Sequence, residues 1–132
     1  ESERFKSFGG QYVPLNTLIA DSDIISIHTP LTPQTYHMFG REQFGMMKNT
    51  AVLINTSRGS VVDEQALYHA LTTNEIFAAG LDVLENEPPE DCPLLHLDNV
   101  VITPHIAGGT AETSLVFLDT LLDELAKALK EV

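Results

Sequence analysis

Residues 50–59 read TAVLINTSRG. Ala51, Val52, Leu53 and Ile54 are apolar at successive positions, so a strand here calls for cover on both of its faces. The run then passes into Asn55, Thr56, Ser57, Arg58 and Gly59, a polar turn that ends the strand. A strand apolar on both faces and followed by such a turn is the building unit of a parallel sheet. In those sheets ligands sit beyond the carboxyl ends of the strands.

Three more runs of the same kind flank it. SDIISIHTP (22–30) gives a β-branched strand over Ile24–Ile27, stopped by Thr29 and Pro30. FAAGLDV (77–83) gives a strand over 78–82 and NVVITP (99–104) one over 100–103, while the first run spans 51–55. Helical patterns fall between them at 14–20, 41–47 and 64–72, the last with Asp63 placed to cap its first turn. Strand, helix and strand in succession imply right-handed crossovers and a three-layer α/β sandwich with a mostly parallel sheet. The closing segment carries Leu115, Leu118, Leu122, Leu125 and Leu129 at spacings of three and four, with Glu112, Asp119, Asp123 and Glu124 between them. It is expected to be an amphipathic helix docked on its own sheet rather than on a partner helix or across a dimer seam.

At 132 residues and 43% hydrophobic content the chain suits one ordinary globular domain. No apolar stretch approaches the roughly 20 residues of a membrane span, and the charged opening ESERFKSFGG (1–10) lacks the apolar core of a signal peptide. The net charge of −12, with seven Lys and Arg against 19 Asp and Glu, argues against nucleic-acid binding. One cysteine, Cys92, excludes an internal disulfide and suits a reducing compartment, so a cytoplasmic protein is expected.

Polar residues at strand ends are the site candidates. His28 follows the strand ending at Ile27, Arg58 follows 51–55, Asp82 ends AAGLD and His105 follows VVIT. His37, His69 and His96 have no such position and are expected to be surface or packing residues. An arginine, a carboxylate and a histidine on one rim suit a carbonyl that bears a neighbouring carboxylate. Arg58 can take a carboxylate with two parallel hydrogen bonds. His105 can give a proton to a developing alkoxide, and an acid such as Glu87 would favour its imidazolium form. The alternative is that Arg58 ties a loop and His105 caps the last helix. Ser57 and Ser60 lie in no G-x-S-x-G elbow, and no histidine or cysteine pair has metal-ligand spacing.

Four stretches together, HTPLTPQTYHMFG (28–40), MMKNTAVLINTSRGSVVDEQALYHAL (46–71), AAGLDVLENEPP (78–89) and NVVITPHIAGGT (99–110), resemble successive signature segments of the NAD-dependent D-isomer-specific 2-hydroxyacid dehydrogenases. The resemblance covers about residues 9–110. It implies the later part of a Rossmann-like NAD-binding domain and hydride transfer between NAD(H) and a 2-keto or 2-hydroxy acid. By the same resemblance Arg58 binds the substrate carboxylate, and His105 is the proton donor and acceptor. Glu87, the acid directly before proline in ENEPP, tunes His105. Asp82 meets the nicotinamide carboxamide, and His28, Thr29, Pro30, Asn55, Thr56 and Ser57 line the nicotinamide and its ribose. From their small size, Ala107 and Gly108 behind His105 are expected to let substrate and backbone approach closely as the last helix begins, with Gly108 among the cofactor-binding positions. The family's usual homodimer is implied as well.

The family's G-x-G-x-x-G unit, whose helix N-terminus takes the pyrophosphate, has no counterpart in SFGGQY, SRGS or IAGGT. The acid that would distinguish NAD from NADP is likewise not identifiable, so NADP stays open. The chain is therefore expected to be a piece of a full-length dehydrogenase, inactive alone, rather than a natural short protein. A dinucleotide-binding scaffold without catalysis, similar to the dehydrogenase-like transcriptional co-repressors, is the other reading.

Overall fold

The computed structural model describes the backbone of residues 3–128 and the side chains of residues 5–121. Strands β1 (Ile24–Ile27), β2 (Val52–Asn55), β3 (Ala78–Leu81) and β4 (Val100–Ile102) lie side by side in that order. All three neighbouring pairs are parallel. The helices are α1 (Glu3–Ser7), α2 (Leu15–Asp21), α3 (Arg41–Met46), α4 (Glu64–Thr72) and α5 (Ala111–Ala128). The expected parallel α/β sheet is therefore present, with each strand within a residue of its expected bounds.

One face of the sheet builds the core. In register across β1, β2 and β3 stand Ile25, Leu53 and Ala79, then Ile27, Asn55 and Leu81, all buried. Ile19 of α2, Phe44 of α3 and Leu67 of α4 are fully buried against this face. Consecutive parallel strands joined by right-handed crossovers put their connecting helices on the same side, which accounts for the single covered face. Local chemistry starts each helix where the sequence indicates. Asp63 Oδ1 accepts from the Ala66 N–H at 2.9 Å, and the Gly40 N–H donates to Gln43 Oε1 at 3.1 Å.

Two expectations are corrected. The strands are apolar on both faces, yet among the described residues the second face is open: Ile24 is 64% and Val101 69% exposed, with Val52, Ile54 and Ala78 half-buried. The described residues thus form two layers of the three-layer sandwich. The closing helix does form, but its described side chains do not dock on its own sheet: each from Ala111 to Leu121 is exposed. The leucines at 122, 125 and 129 lie outside the described side chains. The physical reason is common to both. Apolar periodicity states that a surface needs cover and does not state what provides it.

Candidate active site

Because the strands are parallel and consecutive, their carboxyl ends form one edge, with neighbouring strands about 4.8 Å apart. His28 stands beyond β1, Arg58 beyond β2, Asp82 beyond β3 and His105 beyond β4. All four rim candidates therefore lie along this edge in strand order.

At the β2 tip the turn is built by Asn55. Its Nδ2 donates to the Arg58 carbonyl at 3.0 Å, and its Oδ1 accepts from the Ser57 N–H at 3.0 Å and hydroxyl at 2.9 Å. Asn55 is thus buried beneath the rim, while Thr56, Ser57 and Arg58 line a cleft of about 510 Å³ together with His28, Thr29 and Pro30. Arg58 Nη1 donates to the Ser57 carbonyl at 2.6 Å. Its guanidinium is otherwise exposed and pairs with no described carboxylate, which leaves it available to an anion. Thr29 Oγ1 is buried with no hydrogen-bond partner. An orphaned hydroxyl costs free energy unless a ligand satisfies it, so this cleft fits the polar edge of a nicotinamide and its ribose. His28 Nε2 lies 2.8 Å from Ser26 Oγ on the same lip.

The β3 and β4 tips are joined through Asp82. This buried carboxylate accepts from the Thr103 hydroxyl, from the Ile106 N–H at 2.9 Å and from the Ala107 N–H at 2.9 Å. The Thr103 hydroxyl, then the amides of Ala107 and Ile106, hold its carboxyl below the usual aspartate value. The Asp82 carbonyl accepts from the His105 N–H at 3.0 Å. His105 is thereby held at φ 54, a left-handed backbone that a histidine adopts at some cost. Gly108 meets nothing within 4 Å, so no protein neighbour requires its small size.

His105 Nδ1 lies 2.7 Å from Glu87 Oε2. Glu87 Oε1 in turn accepts from the Leu84 N–H at 2.8 Å. The Glu87–Pro88 peptide is cis. The His105 ring, then the Leu84 amide, hold the Glu87 carboxyl below its ordinary value, so it stays ionised beside the imidazole. The two side chains are 51% and 35% exposed, and a pair so open to water contributes under about 1 kcal/mol to stability. Stability is a poor reason for this arrangement, whereas proton handling is a good one. Asp82, Leu84, Glu87, Pro88 and His105 share a second cleft of about 450 Å³.

The structure brings Glu87 and His105 into contact and sets Arg58 two strand tips away, outside pairing range of either. His105 does not cap the last helix. Thr110 does, accepting from the Thr113 N–H at 3.1 Å. His69 sits 3.5 Å from Glu75. His37 is more than a surface residue: its Nε2 is 3.2 Å from Glu85 Oε1, at pairing distance but not aligned for a hydrogen bond, and its ring stacks on Tyr36. That connection was missed because 48 residues of sequence separate the pair, and no local pattern links them.

The family model for the D-isomer specific 2-hydroxyacid dehydrogenase NAD binding domain matches residues 1–107. A glyoxylate reductase from Korarchaeum cryptofilum is 57% identical over 109 residues, which are 82% of this chain and 33% of that protein. A glyoxylate/hydroxypyruvate reductase B from Yersinia pestis is 53% identical over 123 residues, 92% of this chain and 38% of that protein. The NAD-complexed crystal structure of a D-isomer specific 2-hydroxyacid dehydrogenase from Lactobacillus delbrueckii ssp. bulgaricus superposes with a TM-score of 0.85 at 39% identity. That superposition covers 98% of this chain and 44% of the other. The chain thus spans about a third to two fifths of the length of the curated relatives it matches.

Proposed function

The chain belongs to the D-isomer specific 2-hydroxyacid dehydrogenase family, matching its NAD-binding domain, and we propose that it forms the proton-transfer rim and the nicotinamide end of the cofactor cleft in an NADH-dependent reductase of small 2-keto acids. The observation that carries this reading is the 2.7 Å contact of Glu87 with a strained, exposed His105 beside the cleft. Glyoxylate and hydroxypyruvate are the first substrates to try, because they are the ones in the names of its relatives.

Each residue has a distinct task. Arg58 takes the substrate carboxylate with two parallel hydrogen bonds, which fixes the neighbouring carbonyl relative to the rim. Glu87 holds the His105 ring through Nδ1, leaving Nε2 to carry the proton that is given to the carbonyl oxygen. Thr29, Thr56 and Ser57 bind the nicotinamide end of the cofactor, with His28 and Pro30 forming the lip. When bound, the nicotinamide supplies the hydride to the carbonyl carbon and takes it up in the reverse direction. Asp82 shapes the turn that presents His105. Its carboxylate is occupied by three donors, so a contact with the carboxamide would be an additional one.

We read the chain as the later part of an NAD-binding domain, supported by its share of its relatives' length and by the lack of a G-x-G-x-x-G motif in its 132 residues. The test is a chimera in which this chain replaces the matching 123 residues of the Yersinia relative, assayed for NADH oxidation over a panel of 2-keto acids. Turnover of at least one small 2-keto acid is expected. A folded chimera that binds NADH and turns over none of the panel would favour a dinucleotide-binding scaffold instead.

A further inference from the structure

The contact between Glu87 and His105 depends on where the loop carrying Glu87 is held, and two acids outside the rim hold it. Glu64 is the first residue of α4, and Glu85 stands two residues before Glu87. They clasp each other reciprocally. The Glu64 N–H donates to Glu85 Oε1 at 3.0 Å, and the Glu85 N–H donates to Glu64 Oε1 at 2.6 Å. We propose that Glu64 and Glu85 are positioning residues for the proton-transfer pair, fastening the Leu84–Glu87 segment to the N-terminus of α4 so that Glu87 meets His105.

Charge and geometry support the clasp over a chance contact. A carboxylate at the first turn of a helix meets unpaired N–H groups and the positive end of the helix dipole, which favours Glu85 where it is. Two carboxylates this close repel each other, and burial adds to the cost. Burial first, and the neighbouring Glu85 charge as well, push the Glu64 carboxyl above its ordinary value. The groups facing the pair are His37, with Nε2 at 3.2 Å from Glu85 Oε1, the carboxylate of Asp63, 4.0 Å from His37 Nδ1, and the Cys92 thiol, 3.9 Å from Glu64 Oε2. Of these described side chains, His37 is the one able to carry a positive charge, alongside the N–H groups at the start of α4.

From the clasp the constraint runs along three residues. The Glu85 amide is fixed by Glu64, and the preceding Leu84 amide donates to Glu87 Oε1. The opposite oxygen of Glu87 is the one that meets His105. Behind the segment Gly59 lies flush against it: a Cβ there would come within 2.0 Å of the Leu84 carbonyl group and 2.5 Å of the Glu85 nitrogen. The segment is therefore gripped between the turn that carries Arg58 and the start of α4, which ties the rim residues of β2, β3 and β4 into one unit.

This inference rests on the proposed roles of Glu87 and His105, but its test uses the chain without cofactor or substrate. Carbon-detected NMR of the Glu87 carboxyl follows its titration in the unaltered chain and in Glu64→Ala and Glu64→Gln. Glutamine keeps the acceptor for the Glu85 N–H, and alanine does not. The Glu87 midpoint is expected to rise toward that of an ordinary glutamate in Glu64→Ala and to stay at its original position in Glu64→Gln. A folded Glu64→Ala chain with an unmoved midpoint would overturn the proposal. Amide hydrogen exchange in the unaltered chain gives a readout that needs no variant: the Leu84 and Glu85 amides are expected to be protected together with the first turn of α4. Free exchange at those two amides while α4 stays protected would equally overturn it. Failure of keto-acid turnover in the chimera would remove the functional reading and leave both of these results standing.

Discussion

His105 is the residue at which backbone and chemistry meet. A left-handed backbone costs a non-glycine residue about 1–2 kcal/mol, and the exposed pair with Glu87 returns under about 1 kcal/mol. On these magnitudes His105 is unfavourable for the fold, and something other than stability accounts for it. Glycine adopts the same φ without strain. His105→Gly is therefore expected to leave unfolding free energy in urea within about 1 kcal/mol of the unaltered chain, or to raise it. A loss above about 2 kcal/mol would mean that the side chain serves packing after all. The position of this histidine was legible in the sequence, because it follows a strand and precedes small residues in TPHIAG (103–108). Its partner was narrowed to Glu87 by resemblance, and the geometry separates the two acids of ENEPP: Glu87 meets His105, and Glu85 turns to α4. The clasp of Glu64 with Glu85 left no mark in the sequence, since the residues are 21 apart and each reads as an ordinary surface acid.

Among the elements, the turn between β4 and α5 depends most on one side chain. Asp82 accepts three hydrogen bonds with two oxygens while buried. An asparagine there has one oxygen, so at least one amide of Ile106 or Ala107 would face an N–H. Leaving such a group unsatisfied costs about 1–3 kcal/mol, and Asp82→Asn is expected to destabilise the chain by that amount near neutral pH. The pH dependence has a defined sign. A carboxyl lowered in the folded state contributes its stability above its ordinary value of 3.8, and the contribution fades as pH falls from there through the lowered folded value. Unfolding midpoints measured downward through that window should converge for the variant and the unaltered chain. Curves that stay parallel would show that the charge of Asp82 is not what holds the turn. The strands and α4 were legible because their signals are local, namely apolar runs closed by turns and an aspartate at the cap position. The docking of α5 was not. An apolar stripe of Leu115 and Leu118 describes a surface, and these two side chains are exposed rather than covered by this sheet.

On the scale of the whole molecule, a sheet covered on one face by the described residues presents four strand tips along one edge, with Arg58, His105 and the cleft lined by Thr29 all at that edge. The fold class was readable because four runs apolar on both faces admit few architectures. The open face was not, because the same pattern demands cover without naming it. The pyrophosphate of a dinucleotide needs a nest of backbone N–H groups, and the cleft proposed above would hold the nicotinamide end, so the chain assayed alone is expected to show no NADH oxidation with glyoxylate. The most direct measurement is kcat/KM for that reaction in the chimera with the Yersinia relative, with His105 intact and with His105→Gln. Loss of a general acid lowers rate by about 10²–10⁴-fold, and a fall of that size with NADH affinity preserved is the predicted result. A His105→Gln chimera that turns over glyoxylate as fast as its parent would contradict the account.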